Sequence, residues 1–156
     1  MPVPDFLKRL REHVGHGLLP LVGVTAVVLD DDGRVLLHQR SDDRRWATPG
    51  GILEPGEQPA PAVVREVREE TGVRVRVERL ATVVTQEPHT YPNGDRVQFL
   101  DLAFRCSPVG GEPRADGDES LDVAWFAPEE MPVMAERVLE RIQWARRAEG
   151  EPYFLR

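Results

Sequence analysis

The chain predicts an α+β fold, with strands gathered around one central helix and a second long helix toward the end. Three observations carry that prediction. The run Val22–Leu29 is apolar and β-branched, the pattern of a buried strand. Residues 59–71 show helical spacing, with Pro59 and Pro61 in the first turn and Gly72 just past the last. Val138, Leu139, Ile142 and Ala145 form the apolar stripe of another helix. A length of 156 residues suffices for one core. The reading is a single domain over residues 1–156, with a short helix at 4–14 ahead of a core at 20–148.

Phe6, Leu7, Leu10 and Val14 recur at helical spacing, which predicts that first helix. His13 and His16 follow; with no third ligand nearby they read as surface or junction residues rather than a metal site. The acidic run Asp30-Asp31-Asp32-Gly33 lacks the spacing and distal glutamate of a calcium loop. Asp-Gly between apolar runs marks a hairpin turn instead, with Arg34–Arg40 as the return strand. Ser41–Arg45 is a polar loop, and Trp46 just beyond it reads as a packing residue. In Thr48-Pro49-Gly50-Gly51 the glycines permit close backbone approach.

A helix is expected from Pro59 to Thr71. The missing N–H of proline costs little in a first turn, and Gly72 suits the residue after a helix. Ala62, Val63 and Val67 are expected to face away from the helix's glutamates and pack on the sheet. Val73–Gln86 reads as one or two strands. Glu87–Asp95, with Pro88, Pro92 and Asn93-Gly94, is an irregular hairpin connection. Val97–Cys106 is a strand, Ser107–Gly117 a Gly- and Pro-rich loop, and Val123–Ala127 a short final strand. The helical stretch from Pro128 to about Ala148 breaks near Pro132.

Composition removes several function classes. Twenty basic against 27 acidic residues leave a formal charge of −7. A general nucleic-acid binder needs a basic face, and an anionic membrane repels such a chain. Cys106 is the sole cysteine, so no internal disulfide forms; it lies in an apolar strand pattern and reads as a core residue rather than a nucleophile. No leader pattern opens the chain and no apolar run reaches spanning length, so a cytoplasmic protein is expected.

The chemistry is concentrated between Gly51 and Val73. Gly51 is followed at fixed offsets by Glu57, Arg65-Glu66-Val67, Glu69-Glu70 and Gly72-Val73. Glu66, Glu69 and Glu70 stand at i, i+3 and i+4, one side of a helix. Like charges so placed cost a helix roughly 0.2–0.5 kcal/mol per pair, which Arg65 and Arg68 partly offset. A divalent cation neutralises them better, and an oxygen-bound cation is what phosphate chemistry needs.

The segment resembles the Nudix box, G-x5-E-x7-R-E-U-x-E-E-x-G-U with U a bulky aliphatic residue. Gly51, Glu57, Arg65, Glu66, Val67, Glu69, Glu70, Gly72 and Val73 match every specified position. At ordinary residue usage such a match arises by chance on the order of once in a million chains. The resemblance implies the Nudix fold, a mixed β-sheet sandwiched between α-helices. It implies hydrolysis of a diphosphate bond in a nucleoside diphosphate linked to another moiety, with Mg2+ or Mn2+ as cofactor. Nucleoside triphosphates, oxidised ones included, and ADP-ribose are the substrate candidates.

The resemblance also suggests roles. Glu66 and Glu70 are expected to bind metal directly, with the Gly50 carbonyl as a further ligand. Glu69 is a ligand to a second metal or the catalytic base. Glu57 and Arg65 resemble the pair that braces the loop–helix junction, where a purely structural role stays open. Some members draw the base from outside the box; here Glu119 is the best-placed candidate, ahead of Asp118 and Asp122, with surface solvation the alternative. Arg40 ends a strand where relatives often carry a phosphate-contacting arginine; the alternative is a salt bridge at the strand end. Tyr91 and His89, on the long hairpin connection, are candidates for stacking on a nucleobase.

Two other functions compete. A Nudix-fold sensor that binds nucleotide without turnover usually lacks box carboxylates or carries a DNA-binding domain, and this chain does neither. An isomerase of the related isoprenoid type needs a cysteine beside the metal, and Cys106 sits in the wrong segment. Many family members dimerise, so a homodimer stays open.

Overall fold

The computed structural model describes residues 3–156. The chain order is α1 (Asp5–Val14), β1 (Leu19–Val28), β2 (Val35–Arg40), β3 (Trp46–Ala47), β4 (Gly50–Ile52), α2 (Pro59–Thr71), β5 (Arg74–Thr85), β6 (His89–Thr90), β7 (Arg96–Gly110), β8 (Ser120–Phe126), α3 (Glu136–Arg146) and β9 (Tyr153–Phe154). The larger sheet runs β4-β1-β7-β5-β9, with β6 paired to β7. It is mixed: β1 pairs parallel with β7 and β5 with β9, and the other pairs are antiparallel. A second sheet, β3-β2-β8, stands beside it.

The strand period of two sorts the core into two layers. Val24, Ala26 and Val28 of β1 point to one side, where they meet Ala62, Val63 and Val67 of α2. Val27 points to the other side and meets Val138, Ile142 and Ala145 of α3. β2 alternates in the same way, with Leu36 toward α2 and Val35 and Leu37 toward α3. The expected sandwich of sheet between helices is therefore present. A third cluster seats α1, as Leu7 packs with Leu21, Ile52 and Val97.

The structure departs from the sequence expectations in five places. The Asp30–Arg34 turn forms, with the Asp30 carboxylate accepting from the Asp32 and Arg34 amides. The strands it joins nevertheless share a single bridge, Leu29–Val35, and enter different sheets. β1 instead gains a ten-residue parallel partner in β7. Residues 107–110, expected as loop, extend β7 against Arg74–Arg76 of β5. Pro108 is tolerated there because β1 has ended opposite Cys106, so one side of β7 is open, and a bulge falls at Arg74/Val75. β8 begins at Ser120, three residues before the expected start. The stretch after Pro128 holds only a 3-10 turn, Pro128–Glu130, before α3 starts at Glu136. Tyr153–Phe154 adds a short strand that had no sequence signal.

Cys106 is fully buried, and burial pushes its thiol up to about 12, so it is an inert core residue. His16 pairs with Asp95, Nδ1 to Oδ1 2.8 Å, and joins the α1–β1 link to the turn before β7.

Candidate active site

α2 is built to hold charge against the core. It starts with proline at its first position and ends at Gly72, whose φ of 74° is left-handed and whose amide donates to the Arg68 carbonyl. Its buried residues are Ala62, Val63, Glu66, Val67, Glu70 and Thr71. Here the expectation that the apolar residues lie away from the glutamates is corrected. Glu66 and Glu70 occupy the buried stripe itself, at 8% and 4% exposure, and only Glu69 of the three turns outward. The i, i+4 spacing of 66 and 70 places both over the sheet, and 69 is rotated off that line.

Short strand β4 supplies the opposite wall. The Gly50 amide donates to Glu70 Oε2 at 2.8 Å. Gly51 lies directly against Glu66, so that a Cβ there would collide with its carboxylate. Gly50 is constrained more firmly, since a Cβ would strike the β1 backbone at Val24 and Thr25, whereas at Gly51 the Glu66 side chain would have to move. Gly50 is thus required for close approach to β1, and Gly51 leaves the Glu66 carboxylate its place.

Arg65 organises the other side. Its Nε and Nη2 donate to the two oxygens of Glu57 at 2.8 and 2.9 Å. Its Nη1 donates to Glu66 Oε1 at 2.8 Å and to Glu69 Oε2 at 3.1 Å. Glu57 also accepts from the Glu54 amide, so the Glu57–Arg65 pair ties the loop after β4 to the helix. The Arg65 fork holds the Glu57 carboxyl below the usual carboxylate range.

Burial pushes the Glu70 carboxyl well above the usual range, and the charges of Glu66 and Glu119 add to this. Glu66 is raised chiefly by burial too, against the pull of Arg65. Glu119 is also raised by burial, with Glu69 among the charges that contribute. The structure therefore brings Glu119 into the same field as Glu66, Glu69 and Glu70. Asp118 is exposed, and the Asp122 carboxylate accepts from the Val123 amide.

Arg40 is half-buried, and its guanidinium pairs with Asp42 and lies 3.8 Å from Asp43. The strand-end salt bridge, the alternative reading for Arg40, is what this structure contains. Arg40 still lies close enough to Glu70 to affect it. Tyr91 makes an edge contact with His89, ring centroids 4.8 Å apart, and feels the charges of Arg40 and Asp42. The Tyr91 ring thus lies near Arg40 and Asp42.

Three residues escaped sequence reasoning. His38, 3% exposed, puts Nδ1 2.7 Å from Ser120 Oγ and Nε2 3.9 Å from Glu70 Oε2. Burial lowers its imidazole to about 4, so it is neutral near pH 7. Asp116 gathers the amides of Asp118, Glu119 and Ser120 on one oxygen at 2.9–3.0 Å. A sequence signal existed for His38: strand parity places it on the α2 side with Leu36.

The donor set fits a hard divalent cation. Two carboxylates buried side by side, both raised toward their neutral forms, are a site short of positive charge. Among the described residues no three such side chains already form a closed cluster. Arg65 and the Gly50 amide engage the carboxylate oxygens instead. Carboxylate oxygens are the donors that hard divalent cations take. A separate cavity of about 270 Å³ lies on the α3 side of the larger sheet, lined by residues such as Thr82, Asp101, Arg137 and Tyr153.

A mixed sheet lies between helices, with the buried glutamates of one helix seated on a Gly-Gly strand. Residues 19–147 match the NUDIX domain, and the chain belongs to the Nudix hydrolase family. It is 43% identical over 119 residues to a MutT-like protein of Streptomyces ambofaciens, covering 76% of this chain and 70% of that one. It is 32% identical over 120 residues to an ADP-ribose pyrophosphatase of Methanocaldococcus jannaschii, covering 76% and 68%. A Nudix hydrolase structure from Nitrosomonas europaea superposes with a TM-score of 0.69 at 28% identity, covering 86% and 93%. Hydrolases of this family act on small nucleotide substrates with the help of a divalent metal.

Proposed function

We propose that this Nudix hydrolase uses Mg2+ or Mn2+, held by Glu66, Glu70 and the Gly50 carbonyl, to cleave a nucleoside diphosphate linked to another moiety. The observation that carries this reading is the pair of buried carboxylates, Glu66 and Glu70, set against the Gly50-Gly51 strand. A bound divalent metal polarises phosphoryl oxygens and lowers the pKa of water. The chain's own groups do the rest. Glu57 and Arg65 brace the helix start and hold the outward Glu69 in place. Glu69 or Glu119 takes the proton of the attacking water; both are accessible, and a carboxylate base adds roughly 10²–10⁴-fold. Arg40 binds phosphate by exchanging Asp42 for the substrate's oxygens, and Tyr91 stacks on the base.

ADP-ribose and nucleoside triphosphates, including oxidised ones, are the substrates we favour. The chain works as a single Nudix domain in the cytoplasm, alone or as a homodimer, without nucleic acid. Among the described residues no helix is long and apolar enough to cross a membrane. The non-catalytic sensor is disfavoured because every box carboxylate is present. The test is a phosphate-release screen over nucleoside triphosphates, ADP-ribose, dinucleoside polyphosphates and NADH with either metal. At least one compound is turned over, EDTA abolishes the turnover, and Glu69→Gln and Glu70→Gln are severely impaired. Full activity in both variants would overturn the metal assignment.

A further inference from the structure

We propose that His38 is a positioning residue that holds Glu70 for metal binding and couples it to the loop carrying Glu119. The proposal rests on the reading of Glu70 as a metal ligand.

The argument begins with the strand. His38 lies on β2 among the buried residues Val35, Leu36 and Leu37, and its ring is enclosed between Glu70 on one side and Ser120 on the other. Ser120 reaches it through a break in register. His38 pairs with Val123 and Gln39 with Asp122, but Arg40 pairs with Ser120, which leaves Leu121 as the extra residue of a bulge. A bulge re-aims a side chain that regular pairing would point elsewhere. Ser120 is fully buried.

The Ser120 hydroxyl can donate to Nδ1 or accept from it, so the neighbouring Glu70 carboxylate selects the tautomer. If Nδ1 carried the proton, the bare lone pair of Nε2 would face the Glu70 carboxylate. If Ser120 donates to Nδ1, the Nε2–H dipole faces that carboxylate instead. The second arrangement is electrostatically favoured and leaves Glu70 between two N–H groups, the Gly50 amide at 2.8 Å and the His38 ring at 3.9 Å. At 3.9 Å the His38 ring makes no hydrogen bond to Glu70 as it stands; its N–H dipole faces the carboxylate and is within reach of one on a small shift of either side chain. Removing such an outer partner of a ligating carboxylate typically costs metal affinity about 10–100-fold.

The same serine belongs to the Glu119 loop. Asp116 binds the amides of Glu119 and Ser120, and the Glu119 carbonyl accepts from the Ser41 amide at 2.9 Å. Hydrogen bonds therefore run from the Asp116 turn through Ser120 to His38, whose far nitrogen faces Glu70 at 3.9 Å.

The test is a titration with Mn2+ alone, followed by paramagnetic resonance, on wild type, Glu70→Gln, His38→Leu, His38→Gln and Ser120→Ala. His38→Leu weakens Mn2+ binding by about tenfold or more. It lowers kcat on whichever nucleotide is turned over while leaving KM near wild type. His38→Gln, which keeps an N–H at the Nε2 position, restores most of both. Ser120→Ala falls between, and carries the test should His38→Leu not fold. If Glu70→Gln binds Mn2+ as wild type does, the ligand reading itself fails. If Glu70→Gln loses Mn2+ while His38→Leu and Ser120→Ala keep it, the positioning proposal alone is overturned. Equal losses in His38→Leu and His38→Gln also overturn it, because they would report packing rather than an N–H donor.

Discussion

At the residue scale the site is defined by side chains in unfavourable places. Glu66 and Glu70 fill positions that an amphipathic helix ordinarily gives to Leu or Val, and burial raises both carboxyls. A carboxyl with a raised folded pKa contributes stability below its unfolded value, 4.5, that is lost as pH rises. Glu70→Gln should therefore raise the neutral-pH Tm of the metal-free protein, by roughly 2–4 °C per kcal/mol recovered. The Tm increment on adding Mn2+ should vanish in the same variant. Calorimetry with and without metal checks both. Gly51→Ala should displace the Glu66 carboxylate, since its Cβ occupies that carboxylate's space, and weaken Mn2+ binding in the same titration.

His38 gives the opposite pH dependence. Its folded value is about 4 against 6.5 unfolded. Between these values the unfolded chain binds a proton that the folded chain does not, so stability is lost as pH falls from 6.5 to 4. The loss reaches about 3 kcal/mol. In denaturant titrations of metal-free protein across that window, His38→Gln should lack this part of the slope.

Element-scale features were legible where local chemistry was decisive. The bounds of α2, Pro59–Thr71, follow from its prolines and from Gly72, and match the sequence expectation. Gly72 carries a further constraint, since a Cβ there would lie 2.9 Å from the Glu112 carbonyl oxygen. Gly72→Ala should cost about 1–3 kcal/mol, the range for a residue held at a strained backbone angle, and equilibrium unfolding measures it. The extension of β7 through Pro108 was not legible. Its Gly and Pro residues signal a breaker, and only the pairing with β5 and the end of β1 make that stretch a strand. Ser120 was unreadable for the same reason, because its aim depends on a bulge against β2.

At the scale of the whole molecule, α3 is fastened to the sheet by charge as well as by its apolar stripe. Arg141 Nε donates to Asp101 Oδ2 at 2.8 Å, and Asp101 also accepts from Thr25 Oγ1 at 2.8 Å. Arg79 and Arg105, from β5 and β7, donate to carbonyls at the end of α3, among them those of Trp144 and Ala145. These contacts neutralise the negative end of the helix dipole. Arg141→Met leaves the buried Asp101 carboxylate without its ion-pair partner, with only the Thr25 hydroxyl still donating to it, and should cost about 3–5 kcal/mol in denaturant unfolding. Adding Asp101→Asn should recover much of that loss, since the buried charge is gone.

Local pattern alone determined the class of this protein. The Gly51–Val73 spacing, the helix it occupies and the alternation of β1 and β2 are set by residues near one another in sequence; the bond type and the divalent metal follow from the family to which that spacing assigns the chain. Tertiary structure decided which carboxylates are buried, that Arg65 binds Glu57, Glu66 and Glu69 together, that Arg40 is engaged by Asp42, and that His38 stands between Ser120 and Glu70. The physical reason is that burial and electrostatic neighbours are properties of the packed sheet. β1 crosses to β7 and β2 to β8, pairings that join residues 78 and 80–91 positions apart, which no local pattern connects.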